Sequence, residues 1–129
     1  MTFRTLLTIK AVVCLGFGVL MLAVPANLFD LFDVSLDEVG RIPAREYGAA
    51  LVGTLILTWL GRGLTDRHVQ RIILLDLLVY DGIGVVVFLV PTLSGTLNAL
   101  GWAIVAVYAF FTIGSAYLLL VARAEPARL

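Results

Sequence analysis

The chain has 129 residues, of which 61% are hydrophobic and 14% are charged, against roughly 45 to 50% and about 25% in a typical soluble domain. Because this number of charges is too small to cover the surface of a soluble fold, we predict an integral membrane protein. Nine Lys and Arg balance nine Asp and Glu, so no basic excess points to nucleic acid. A single Cys and a single His exclude an intrachain disulfide and predict neither a metal site nor a bound cofactor.

Four apolar stretches are long enough to cross a bilayer, which takes about 20 residues of helix. We predict spans at residues 5–24, 43–60, 72–90 and 98–121. Pro25 and Pro91 end the first and third spans, whereas Pro43 suits the first turn of the second, where its missing N–H would be unpaired anyway. The first span resembles a signal peptide in part, but we expect it to be retained.

The connection between the first two spans, residues 26–42, is amphipathic. Its apolar side chains recur every three to four residues, at Leu28, Phe29, Phe32, Leu36 and Val39. Two interpretations remain open, a helix lying in the membrane interface and a loop tethered by a few apolar side chains. Ser35 and Glu38 have capping-box spacing and predict a helical turn that begins at Ser35. Thr65 is the predicted N-cap of the third span.

The distribution of basic residues predicts the orientation of the spans. Seven Lys and Arg fall on one side of the predicted membrane and two, Arg41 and Arg45, on the other. Because Lys and Arg favour the cytoplasmic side, both termini are expected in the cytoplasm.

An internal repeat relates the two halves of the chain. Residues 16–25 align without gaps on residues 82–91, an offset of 66, and the second and fourth spans align at an offset of 61 that pairs Tyr47 with Tyr108. Equivalent spans run in the same direction, so the predicted fold is an all-α bundle of four transmembrane helices. It is built from two parallel-repeat helical hairpins around a pseudo-two-fold axis along the membrane normal.

Charged residues inside spans are costly and mark candidate sites. Lys10 and Asp76 are equivalent under the 66-residue offset and lie at similar depth. An opposite charge makes burial tolerable, so we predict that they form an interhelical ion pair. A structural salt bridge is favoured over a proton or ion relay.

Asp81 lies near the predicted midplane, where no cation is expected. It is predicted either to be a neutral structural carboxyl or to form a proton, cation or ligand site with nearby hydroxyls. The candidate hydroxyl partners are Tyr80, Thr54, Tyr108 and Thr112.

Arg45, Glu46 and Tyr47 lie at the outer end of the second span. They form either a polar mouth that leads to the space below or an anchor at the membrane interface, with Tyr47 in the aromatic belt.

Several of these features together resemble a known family. Gly16-Phe17-Gly18 in the first span, Pro25 at its end, the amphipathic outer connection and the small-residue span that opens with Arg45-Glu46 are similar to those of the small DoxX-like membrane proteins. The resemblance implies a bacterial inner-membrane protein that contacts quinone or a redox partner. No catalytic motif of that family has a match here, so no catalytic residue is carried over.

Two functions follow as expectations. The first is the binding of a lipid, quinone or other amphiphilic small molecule, or an accessory role in a larger membrane complex. The second is a proton- or cation-coupled transporter that uses Asp81 and acts as a homodimer. An enzyme is the least supported class, because few groups are available for acid-base chemistry.

Overall fold

The computed structural model describes residues 1–124, which form helices and connecting segments without any β-strand. The five helices are α1 (Phe3–Ala23), α2 (Pro25–Asp30), α3 (Glu38–Gly61), α4 (Arg67–Leu93) and α5 (Gly101–Ala124). Long apolar sequences explain the four long helices, because a helix satisfies its own backbone hydrogen bonds in an apolar environment.

Three helices, α1, α4 and α5, are long and apolar enough to cross a membrane. The prediction of an all-helical protein with membrane-spanning helices is therefore confirmed for these three helices. α3 has 24 residues, which corresponds to about 36 Å of helix, but it does not belong to this group. Arg45 and Glu46 in its first half make it less apolar than the others.

The second predicted span begins earlier than expected. α3 starts at Glu38, and its N-cap is Asp37, whose carboxylate accepts a hydrogen bond of 2.7 Å from the backbone N–H of Gly40. The prediction of a helical start at Ser35 is therefore wrong by two residues, and Pro43 lies inside the helix rather than at its start.

The boundaries of α4 also differ from the prediction. Its N-cap is Asp66, not Thr65, because the Asp66 carboxylate reaches the backbone N–H of Val69 at 2.9 Å. Pro91 does not end the helix, which continues to Leu93. A proline disrupts the bond to the preceding turn without preventing the last residues from remaining helical.

The outer connection is only partly helical. α2 has six residues, and residues 34–37 are not helical. Leu28, Phe29 and Phe32 pack against Met21 of α1 and Ala44 of α3. The tethered-loop interpretation describes this segment better than a long interface helix, because these three side chains face the bundle while Leu31 and Val39 are exposed.

The long helices pack as two close pairs, α1 with α3 and α4 with α5. Small residues permit both pairings, as expected where helices associate without a hydrophobic driving force. A Cβ atom on Gly48 would lie 2.8 Å from Met21 Cβ, and one on Gly84 would lie 2.3 Å from the Tyr108 ring. Leu6, Leu74, Phe111 and Leu119 form a buried cluster that joins α1 to the second pair.

Candidate ligand site

A buried ion pair joins the two helix pairs. The Lys10 ammonium on α1 donates a hydrogen bond to Asp81 Oδ1 on α4. Lys10 is 3% exposed and Asp81 is fully buried. Because an unpaired charge in an apolar interior is strongly destabilising, each residue makes the burial of the other possible.

The predicted ion pair between Lys10 and Asp76 is wrong. Asp76 is exposed on the surface of α4. It lies five residues before Asp81, which turns its side chain about 140° away from that of Asp81. The long stem of Lys10 reaches beyond its own depth, so the expectation that Asp81 lacks a cation is also wrong.

Aromatic rings surround the Lys10 ammonium. Its Nζ atom lies 4.4 Å from the centroid of the Phe111 ring, 5.2 Å from that of Tyr80 and 5.9 Å from that of Tyr108. The negative ring faces add to the stabilisation of the cation. The charge is therefore held by one carboxylate and three rings.

Three tyrosines from three helices form a chain of hydrogen bonds, which we call the tyrosine triad (Tyr47, Tyr80 and Tyr108). Tyr80 on α4 donates to the Tyr47 hydroxyl on α3 at 2.6 Å, and the Tyr47 and Tyr108 hydroxyls lie 2.5 Å apart. Gly84 lets the Tyr108 ring lie directly against α4. The triad thus links α3 to the α4–α5 pair.

None of the four predicted hydroxyl partners forms a hydrogen bond with Asp81, because the Tyr80 and Tyr108 hydroxyls bond to Tyr47 instead. Thr54 donates to the Ala50 carbonyl at 3.0 Å, and Thr112 donates to the Tyr108 carbonyl at 2.8 Å. Both hydroxyls satisfy carbonyls of their own helices, a common use of threonine in apolar helices. They are therefore absent from the site.

The predicted outer mouth separates into two parts. Arg45 and Glu46 are exposed, whereas Tyr47 is half-buried and turns inward to the triad. Neither Arg45 nor Glu46 lines the space between the helix pairs. These two charged residues therefore do not contribute to the site.

A cavity of about 70 Å³ lies between the two helix pairs. The ion pair and the triad border it, and the outer connection covers its outer side with Phe29 and Phe32. The other walls are apolar or aromatic, including Cys14, Leu51, Phe88 and Val107. Few polar groups in an apolar enclosure are typical of a small-molecule site.

A second, more open space of about 320 Å³ forms a groove beside α4. The triad and Phe88 line both the groove and the cavity, whereas three residues line only the groove, namely Ile83, Gly84 and Val87. The triad therefore separates the interior space from the groove.

Sequence reasoning missed the triad and the position of Phe111 beside Lys10. The alignment of Tyr47 with Tyr108 was the available signal, since equivalent residues near a two-fold axis can meet.

In residues 1–124, no group of three His, Cys, Asp or Glu side chains could hold a metal ion. The arrangement offers hydrogen bonding and a balanced pair of charges beside an apolar space.

No protein-family model, no curated protein and no solved structure matches the chain.

Proposed function

We propose that this chain is a four-span inner-membrane protein that binds an amphiphilic small molecule between its two helix pairs. The observation that carries the proposal is an apolar cavity that borders a buried ion pair, Lys10 with Asp81. Apolar walls suit a hydrocarbon or ring system, and the polar groups suit a head group. A lipid and a quinone both have this character.

In the proposed topology, α3 crosses the membrane as well, which brings the number of spans to four. Both termini then lie in the cytoplasm. α3 packs along α1, and from Tyr47 to Gly61 it contains no charged residue. The distribution of basic residues, seven on one side and two on the other, supports the orientation. The resemblance to DoxX-like proteins is in keeping with this arrangement, and the repeat remains a prediction.

The proposed access route for the ligand is the groove beside α4. Ile83 and Val87 are exposed side chains on that surface, which faces lipid in the proposed topology. An amphiphile already dissolved in the bilayer could enter sideways, past Tyr80, without crossing water. A molecule with a long apolar tail would leave that tail in the groove.

The alternative, a proton- or cation-coupled transporter, has less support. It relied on a midplane carboxylate without a cation, and Asp81 has Lys10 as its partner. A homodimer is not needed to enclose the cavity, because one chain lines it. An accessory role in a larger complex is compatible with ligand binding and stays a second proposal.

Native mass spectrometry of gently solubilised protein tests the binding proposal. We expect the wild-type chain to retain an amphiphile from the membrane. Val107→Trp should lose it, because Val107 lines the cavity and the larger side chain occupies that space. Ile113→Trp is the matched control on the same helix, since Ile113 is 68% exposed.

The outcome separates ligand binding from nonspecific lipid adhesion. Loss of the adduct in Val107→Trp but not in Ile113→Trp supports the cavity as the site. Equal retention by both variants, or wild-type protein that stays bare in a total lipid extract, would contradict the proposal.

A further inference from the structure

The ion pair leaves one hydrogen-bond acceptor unused inside the protein. Asp81 Oδ1 accepts from Lys10, but Oδ2 is buried and receives no hydrogen bond from residues 1–124. Buried polar atoms are nearly always paired, and a carboxylate oxygen without a donor is costly. Because Asp81 borders the cavity, a molecule bound there is well placed to supply the donor.

The tyrosine triad can offer one hydroxyl proton to a molecule in the cavity. Its three hydroxyls carry three O–H protons, and the bonds that involve Tyr47 use two of them. If Tyr47 donates to Tyr108, the Tyr108 proton remains free. If Tyr108 donates to Tyr47, the Tyr47 proton remains free. This third proton can turn to the neighbouring tyrosine hydroxyl or to an acceptor in the cavity.

The charges around the cavity already balance. Lys10 and Asp81 are the only charged side chains that line it among the described residues, and they neutralise each other. A ligand with a net charge would bring an unpaired charge into an apolar space, which is strongly unfavourable. The head group is therefore expected to be uncharged.

Size limits the part of the ligand that enters. A volume of about 70 Å³ holds roughly five water-sized groups. A small polar head fits this space, whereas a complete lipid does not. The apolar tail would extend past the triad into the groove that Ile83 and Val87 line.

Resting on the proposed binding function, we propose that the ligand is an uncharged, hydroxyl-bearing lipid of the acylglycerol type. Its hydroxyl donates to Asp81 Oδ2, and a second oxygen accepts from the tyrosine triad. Asp81 Oδ2 thereby gains the donor that residues 1–124 do not supply. The ion pair then acts both as a structural link between the helix pairs and as the receptor for the head group.

Binding of three probes to the full-length protein in detergent micelles tests this assignment. The probes are 1-monoolein, its 2,3-di-O-methyl ether and oleate, and affinities are measured by native mass spectrometry titration. The ether retains the chain and the acceptor oxygens but has no hydroxyl proton. We expect monoolein to bind at least about ten-fold more tightly than the ether, as a hydrogen bond to a charged acceptor implies. Oleate should bind more weakly than monoolein.

The double variant Lys10→Met/Asp81→Leu controls for the added bulk of the ether. It removes the acceptor while keeping the site uncharged, so the preference for monoolein should disappear. A preference that persists in this variant would show that bulk causes it and would overturn the assignment. If the double variant does not fold, the wild-type comparison of monoolein with oleate still tests the requirement for an uncharged head.

The same measurements distinguish a wrong head group from a cavity that binds no amphiphile. If monoolein and its ether bind equally well and only in the cavity, the head-group assignment is wrong and water satisfies Oδ2, but amphiphile binding stands. If none of the probes binds and Val107→Trp has no effect on lipid retention, both proposals are wrong.

Discussion

A double-mutant cycle on Lys10 and Asp81 tests how the two helix pairs are held together. Lys10→Met and Asp81→Leu each leave one buried charge without its partner. Removing one member of a buried pair typically costs about 3 to 5 kcal/mol of stability, whereas replacing both with apolar residues is often neutral or stabilising. Both side chains are almost fully buried, so the cost of each single variant should lie in this range.

The expected coupling energy between the two positions is at least about 3 kcal/mol. The assay is reversible unfolding in mixed micelles with increasing SDS, followed by circular dichroism. Lys10→Met should be the more damaging single variant, because the unpaired Lys10 ammonium of Asp81→Leu still contacts the rings of Phe111, Tyr80 and Tyr108.

Asp76→Leu provides the matched control, because it makes the same substitution on the same helix at an exposed position. Its coupling to Lys10→Met should be within about 0.5 kcal/mol of zero. A coupling of Asp76 to Lys10 that exceeds the coupling of Asp81 to Lys10 would refute the assignment of the ion pair.

Two other contacts give independent predictions. Gly84→Ala should cost about 1 to 3 kcal/mol, as overpacking does, because the new Cβ would lie 2.3 Å from the Tyr108 ring. Gly16→Ala is its control, since nothing lies within 4 Å of that Cβ, and equal SDS midpoints for the two variants would contradict the packing. Asn98 holds the outer connection, donating to the Leu31 carbonyl at 2.7 Å and to the Phe32 carbonyl at 3.2 Å. Asn98→Ala removes the side-chain bond and should speed hydrogen exchange of the backbone amide of Phe32, whose unchanged protection would exclude this role.

Much of the fold follows from hydropathy and small residues. The four long helices coincide with the four predicted apolar stretches, because apolar residues over about 20 positions leave the backbone few alternatives. Their ends were less predictable. Asp37 and Asp66 compete with Ser35 and Thr65 as caps, and the backbone geometry that decides between neighbouring candidates is not readable from composition.

The sequence predicts which residues form the candidate site better than it predicts their contacts. It marks Lys10 and Asp81 as costly buried charges. The repeat pairs Lys10 with Asp76 instead, because depth in the membrane says nothing about the direction in which a side chain leaves its helix. Tyr47 was assigned to the outer mouth because the helix was expected to start at Pro43. Its true start at Glu38 places Tyr47 well inside the bundle.

The most direct test of the central proposal is where a bound amphiphile lies. Uniformly ¹³C-labelled protein, loaded from an unlabelled membrane lipid extract, allows isotope-filtered NOE measurements between ligand and protein protons. We predict NOEs from the ligand to the methyl groups of Leu51 and Val107 and to the Tyr108 ring, which all line the cavity. NOEs confined to exposed residues such as Val86 and Ile113 would place lipid only on the outer surface and contradict the account.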